Sequence, residues 1–225
     1  MDASKQTLDK YIAFARKFME LPSDIIVDAL PYSCGKFGNE LVASVVNGHR
    51  ISFNQSWLDS GRDDSDDVAF FTFHELRHMY QREQAFRLSR GESITEPTNV
   101  IEVWGFEHDH YITNYGDQKS RLANLHQEIE QDANGYAFAL CRLMHPYNLN
   151  KFILVRLEQD AYDLAERRAN GYIESRAELK KYLGEITQGW KVDRKGVRQY
   201  DPYKPCPCGS GKKFKFCCKG KGIYD

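Results

Sequence analysis

Val68-Ala69-Phe70-Phe71-Thr72-Phe73-His74-Glu75-Leu76-Arg77-His78-Met79-Tyr80 decides how this chain is read. The run is mostly apolar, and its polar residues fall in the pattern H-E-x-x-H. In a helix, His74 and His78 stand four apart, one turn above the other on one face. Two imidazoles so placed can share one Zn²⁺, and Glu75 beside them can take a proton from a water that the metal activates. Ser65 or Asp66 can cap this helix, with Asp64 and Asp67 favourable near its start. The competing reading is a buried helix with two unliganded histidines.

Outward from this helix, the two short runs 41–46 and 49–54 flank Asn47-Gly48, a strong hairpin signal. Leu8, Tyr11, Ile12, Ala15, Phe18 and Met19 recur at helical spacing over residues 5–20. Pro22 stops that helix, and Ser23 or Asp24 can start a short second one through Leu30. Downstream, Pro97 suits the first turn of a helix carrying Val100, Ile101, Val103, Trp104 and Phe106, closed by Gly116. One long helix is expected from Leu122 to Met144. Another is expected over 149–169, stopped by Asn170-Gly171, and a last one over 174–187. The pattern predicts an α+β domain, mostly helical with a small antiparallel sheet, over residues 1–190. A linker, 191–204, and a tiny module, 205–221, follow.

A catalytic zinc site needs a third protein ligand, carried by a helix packed on the first. Glu128-Ile129-Glu130-Gln131-Asp132-Ala133-Asn134 supplies candidates. Ile129, Ala133, Tyr136 and Ala137 mark the buried side, and Glu130 with Asn134 borders it. Glu130 is the preferred ligand, with Asn134 holding Glu130 or a histidine. Glu128 with Asp132 is the alternative pair, and solvation of an exposed face would explain the same residues. His108 or His110 could replace Glu130 or donate to a developing oxyanion. Tyr111 and Tyr115 are further possible donors. His49, His126 and His145 are expected to be structural.

The chain of 225 residues carries a formal charge of −1, unevenly placed. Residues 191–225 hold ten Lys/Arg against three Asp/Glu, leaving 21 against 29 in the rest. The basic end suits an acidic partner or nucleic acid. The sequence has no run of eighteen apolar residues and no signal-peptide opening, which points to a cytoplasmic protein and away from membrane functions. Cys206, Cys208, Cys217 and Cys218 cluster, whereas Cys34 and Cys141 are isolated. In a reducing compartment, clustering favours a metal over disulfides.

His74-Glu75-x-x-His78, followed about fifty residues later by Glu130-x-x-Ala133-Asn134-x-x-Ala137, resembles the gluzincin metallopeptidases, and within them the ImmA/IrrE-type domain. The resemblance covers roughly residues 40–145 and implies peptide-bond hydrolysis at a zinc held by His74, His78 and Glu130. Tyr136 stands where Phe is usual, Arg77 where Gly is frequent, and the 79–121 insertion has no counterpart.

In Pro205–Cys218, four thiols lie within thirteen residues. They can close a tetrahedral Zn²⁺ site, with Gly209 and Gly211 permitting the reversal. A segment so short cannot fold on apolar burial alone, so the metal would supply its folding energy. The C-x-C-x8-C-C spacing resembles the SEC-C motif of the SecA tail. That resemblance implies docking to a SecB-type chaperone or to ribosomes. Lys212, Lys213, Lys215, Lys219 and Lys221 offer a positive face for an acidic partner or RNA, and Phe214 and Phe216 are buried or contact aromatics.

Two functions are therefore expected. One is a zinc metallopeptidase acting on a protein or peptide substrate, with two zinc sites and a docking tail. The other is a non-catalytic adaptor with a peptidase-like body that works through the tail. Weaker still is nucleic-acid binding through residues 191–221.

Overall fold

The computed structural model describes residues 2–30, 43–46, 49–55, 66–113, 117–144, 159–187, 190–192, 198–206 and 210–219. Among them the architecture is α+β: seven helices, a three-stranded sheet and a two-stranded one. The chain divides into two compact units, 1–141 with 153–172, and 142–152 with 173–225. No helix of the described residues is long and apolar enough to cross a membrane.

Helix α1, Asp2–Ala15, buries Leu8, Tyr11, Ile12 and Ala15, as the spacing predicts. The short helix expected through Leu30 is instead a strand, β1, Ile26–Leu30. Its start is β-branched, and a partner strand satisfies its backbone, which local propensity could not reveal. It pairs in parallel with β3, Arg50–Asn54, from Ile26↔Arg50 to Leu30↔Asn54. On the other side β3 pairs antiparallel with β2, Ala43–Val46, as the hairpin reading expects. Asn47-Gly48 lies outside the described residues. Ile51, Ser52, Phe53 and Asn54 are all buried, so the central strand is covered on both faces.

Helix α2, Asp66–Ser89, carries the H-E-x-x-H stretch. Phe70, Phe73, Leu76 and Met79 are nearly or fully buried. Tyr11 and Phe14 of α1 lie against the Phe73 ring at 5.8 and 6.0 Å. The helix ends in a Schellman turn: Gly91 N–H donates to Leu88 O and Glu92 N–H to Arg87 O. Gly91 sits at φ 68°, a left-handed conformation in which a side chain would be strained.

Helix α3, Thr98–Asp109, follows Pro97, whose carbonyl accepts the first helical hydrogen bonds. The contacts of α3 and the segment before it with α2 run antiparallel: Thr95 meets Gln84, Trp104 meets Tyr80, and His108 meets His78. Within the 79–121 insertion, residues 90–109 thus make a helical return that delivers the end of α3 to the histidines.

The single helix expected from Leu122 to Met144 is two: α4, Gln118–Leu125, and α5, Glu128–Met144. Gln127 makes the break. Its side chain bonds both backbone groups of Ile112, at 2.7 and 3.1 Å, and its own carbonyl accepts Gln131 N–H to start α5. Glu107 of α3 accepts Ile129 N–H at 2.9 Å. The apolar period runs on across this break, which is why the sequence reads as continuous.

Helix α6, Gln159–Ser175, passes straight through Asn170-Gly171, the expected stop. Ala161, Ala165 and Ala169 form a buried stripe that Tyr172 extends, and this face outweighs the local stop signal. Helix α7 is Ala177–Thr187. Strands β4, Trp190–Val192, and β5, Arg198–Tyr200, pair antiparallel within the stretch expected as a linker.

Candidate metal centres

Helices α2 and α5 bring His74, His78 and Glu130 together, with one ligand atom of each within 4.8 Å of the others. The two Nε2 atoms are 3.0 Å apart, and Glu130 oxygens lie 3.5 Å from His74 Nε2 and 3.4 Å from His78 Nε2. A tetrahedral ion with bonds of about 2.0–2.1 Å has ligand–ligand edges of about 3.3–3.4 Å. The donor set therefore fits a small four-coordinate cation with one position left open.

The electrostatics of the three donors are coupled. Burial, with the charge of His78, lowers the His74 pKa to about 4. Burial would lower His78 as well, but the Glu130 carboxylate beside it outweighs that and lifts its pKa to about 9. Glu130 is held down at about 2, because the two histidines overcome its burial. Carboxylate and neutral imidazole are metal-binding forms, and His78 has one proton to give up.

Glu75, next to His74 in α2, is buried, and its charge raises the proton affinity of both His78 and Tyr111. Asn134 interacts with His74 and raises its proton affinity, though His74 Nδ1 has no bond of good geometry among the described residues. Tyr111 is committed to Glu130, donating its phenolic hydrogen to Oε1 at 2.7 Å while accepting from Asn124. Burial and the Glu130 charge push its pKa far up, so it stays a donor. His108 lies with its ring 6.1 Å from that of His78. Its Nε2 is buried without a hydrogen bond among the described residues, and burial, His78 and Arg82 depress its pKa to about 3. His110 is exposed, stacked on Phe106, and takes no part. Tyr115 lies outside the described residues.

The alternative pair, Glu128 and Asp132, goes elsewhere. Glu128 takes a two-pronged bond from Arg168 of α6, at 2.6 and 2.7 Å. Asp132 is almost fully buried and ion-paired with Arg77, whose Nε and Nη2 donate to it at 2.7 and 3.1 Å. The Arg77 guanidinium is enclosed by Tyr136, Tyr80 and Trp104, with ring centroids at 4.1, 4.5 and 5.2 Å. Gln81 connects this network to the centre by accepting from His78 Nδ1 at 2.8 Å. Sequence reasoning missed Gln81 and the partner of Arg77. The available signals were a charge inside an apolar run and an amide three residues after His78 on the same helix.

In the second unit, the thiols of Cys206, Cys217 and Cys218 lie within 4.8 Å of one another. Cys217 and Cys218 Sγ are 3.7 Å apart, close to the roughly 3.8 Å edge of a tetrahedron with metal–sulfur bonds of about 2.3 Å. Cys208, the expected fourth ligand, lies outside the described residues. Gly211 turns the chain at φ 72°. Cys206 N–H donates to Lys212 O, and Phe214 N–H to Lys204 O. Phe214 is buried with Cys206 and Cys218, and the Tyr200 ring packs on it at 5.1 Å. The cluster thus draws Tyr200 and Lys204 into itself from the stretch expected as a linker. Lys212 and Lys213 are exposed, and Lys215 Nζ lies over the exposed rings of Tyr203 and Phe216 at 4.3 and 4.5 Å.

The chain is 52% identical over 29 residues, 13% of its length, to the protein translocase subunit SecA of Lachnoclostridium phytofermentans. It is 40% identical over 65 residues, 29% of its length, to SecA of Chloroflexus aggregans. The similarity belongs to the tail, which resembles the SEC-C motif, and spans only 3% and 6% of those proteins. No family model and no solved structure matches the chain.

Proposed function

We propose that the protein is an intracellular zinc metallopeptidase, cleaving peptide bonds in a protein substrate and localised through its C-terminal zinc module. One observation carries the reading: donor atoms of His74, His78 and Glu130 converge to separations of 3.0–3.5 Å, near the edges of a tetrahedral site, with the buried Glu75 next to His74 in the same helix. Zinc bound there supplies a water of lowered pKa and a Lewis acid for the scissile carbonyl. Glu75 takes the proton from the attacking water and passes it to the leaving amine. Tyr111 keeps Glu130 oriented, and His108, neutral and with a ring nitrogen that has no hydrogen bond among the described residues, can donate to the oxygen that gains charge.

The similarity to the SecA tail supports a docking role for the cysteine module, with a SecB-type chaperone or the ribosome as partner. Lys212, Lys213 and Lys215 would form the contact face. The same similarity, confined to the tail, favours the second reading: an adaptor whose body does not hydrolyse anything. Glu75→Gln separates them. Incubated with a proteome-derived peptide library and read by mass spectrometry, the wild type should generate new termini and Glu75→Gln none, with two zinc ions per chain in both. Equal cleavage by the two proteins, or none by either, would remove the peptidase reading and leave the adaptor.

A further inference from the structure

The orientation of the Gln81 amide follows from its neighbours. Arg77 is always cationic, so the buried Asp132 it pairs with is a carboxylate, an acceptor only. Asp132 is filled: Arg77 Nε and Gln81 Nε2 donate to Oδ2, and Arg77 Nη2 and the Tyr172 hydroxyl donate to Oδ1. The second Gln81 contact is Ile129 O at 3.0 Å, also an acceptor. With acceptors on both contacts, the amide NH₂ must face them, and Oε1 must face His78. His78 Nδ1 therefore carries a hydrogen, and Nε2 is the nitrogen left to point at His74 and Glu130.

We propose that Gln81, Asp132 and Tyr172 form a positioning relay through which α6 fixes the ring of His78 so that Nε2 faces the metal. Every member is buried or partly buried, and Arg77, packed among aromatic rings, holds Asp132 in place from α2. Tyr172 lies outside the H-E-x-x-H and E-x-x-A-N region altogether. Gly135 allows α6 its seat, since a Cβ there would stand 2.5 Å from Arg168 Cβ. The relay residues act through His78. The inference rests on the metal reading of His74, His78 and Glu130, and not on hydrolysis.

The test uses the full chain and two mild variants, Gln81→Ala and Tyr172→Phe, both of which keep the Arg77–Asp132 pair. Zinc affinity is measured by chelator competition, following the His78 ring resonances. The Nδ1–H proton is followed separately in metal-free protein. Gln81→Ala should lose the slowly exchanging Nδ1–H resonance and bind zinc roughly ten- to a hundredfold more weakly. Tyr172→Phe should weaken zinc binding less, and should add nothing in the Gln81→Ala background, because it acts through Gln81. Unchanged affinity in Gln81→Ala, or additive effects in the double variant, would overturn the relay. A wild type that takes zinc at His78 with a Gln81-dependent Nδ1–H, yet cleaves no peptide, would keep the relay and sink the peptidase reading. Hydrolysis with a Gln81-independent Nδ1–H would do the reverse.

Discussion

The two candidate metal centres hold their donors by opposite means. At the first, the donors stand on two long helices whose apolar faces are buried independently of any ion: Phe73, Leu76, Ile129 and Ala133 are all fully buried. A polar network then aims the side chains. At the second, the buried side chains among the described residues are Cys206, Phe214 and Cys218, with Tyr200 and Cys217 packed beside them. That is far too little apolar area to order a segment against its conformational entropy. Equal closeness of donor atoms therefore has two energetic meanings. A metal in the body would be a guest in a socket built by packing, whereas a metal in the tail would be the core.

Metal removal should separate them most strongly. Zinc contributes an apparent 10–16 kcal/mol or so to the folding of modules like the tail. Chelation should therefore unfold it, with loss of the Tyr200–Phe214 ring contact by NMR and rapid proteolysis near Lys212. Cys217→Ser should do the same without chelator. The helices of the body should keep their circular dichroism and melting temperature. Simultaneous melting of both parts at one chelator concentration would erase the distinction.

Next in size is the buried pair of the body. Arg77→Met leaves Asp132 charged and uncompensated, which should cost about 3–5 kcal/mol in denaturant unfolding of the body. Arg77→Met with Asp132→Leu should recover much of that loss, since well-packed apolar residues can replace a buried ion pair. It should not recover zinc affinity at His78, because Gln81 has lost its anchor. Tail metal content should stay constant in both. Gly135→Ala is smaller. The clash with Arg168 costs about 1–3 kcal/mol and is offset by up to about 1 kcal/mol of helix propensity. A gain in stability would show that α6 is not seated as tightly as the 2.5 Å approach indicates.

The same contrast governs what the sequence disclosed. The helix with His74 and His78, the hairpin and the cysteine cluster are local patterns, so residue order alone reveals them. Glu130 could be singled out as a candidate because its helix carries an apolar stripe that marks which face is buried. The missing parts depend on partners distant in sequence. Strand β1 needs β3 beside it, and the break at Gln127 needs Ile112. The fate of Glu128 and Asp132 is decided by Arg168 and Arg77, which no spacing rule links to them. A charge in an apolar run, such as Arg77, signals that a buried counter-ion exists, but only the packing identifies it.

The smallest effect, and the finest test of the socket, is in pH. Before an ion binds, Glu130 and His74 are already in their metal-binding forms above about pH 4, given pKa values near 2 and 4. His78, raised to about 9, still holds a proton that zinc must displace. Zinc affinity at the body site should therefore rise about tenfold per pH unit between 6 and 8, one proton released per ion, and level off above 9. Stability of the metal-free body should move the opposite way between about pH 7 and 9, where His78 is the histidine still titrating; nearer pH 6, His74 and His108, lowered to about 4 and 3, contribute the opposite slope. A folded-state pKa above the ordinary 6.5 means the proton stabilises the fold, fully below pH 6.5 and progressively less as pH rises through 9. Binding and stability would then have opposite slopes across one window, both set by the His78–Glu130 contact. Glu130→Gln removes the charge that raises His78, so it should flatten the stability slope and weaken zinc binding together. A slope of two protons, or a stability curve that rises with pH between about 7 and 9, would mean that the three donors are not arranged around His78 as the structure has them.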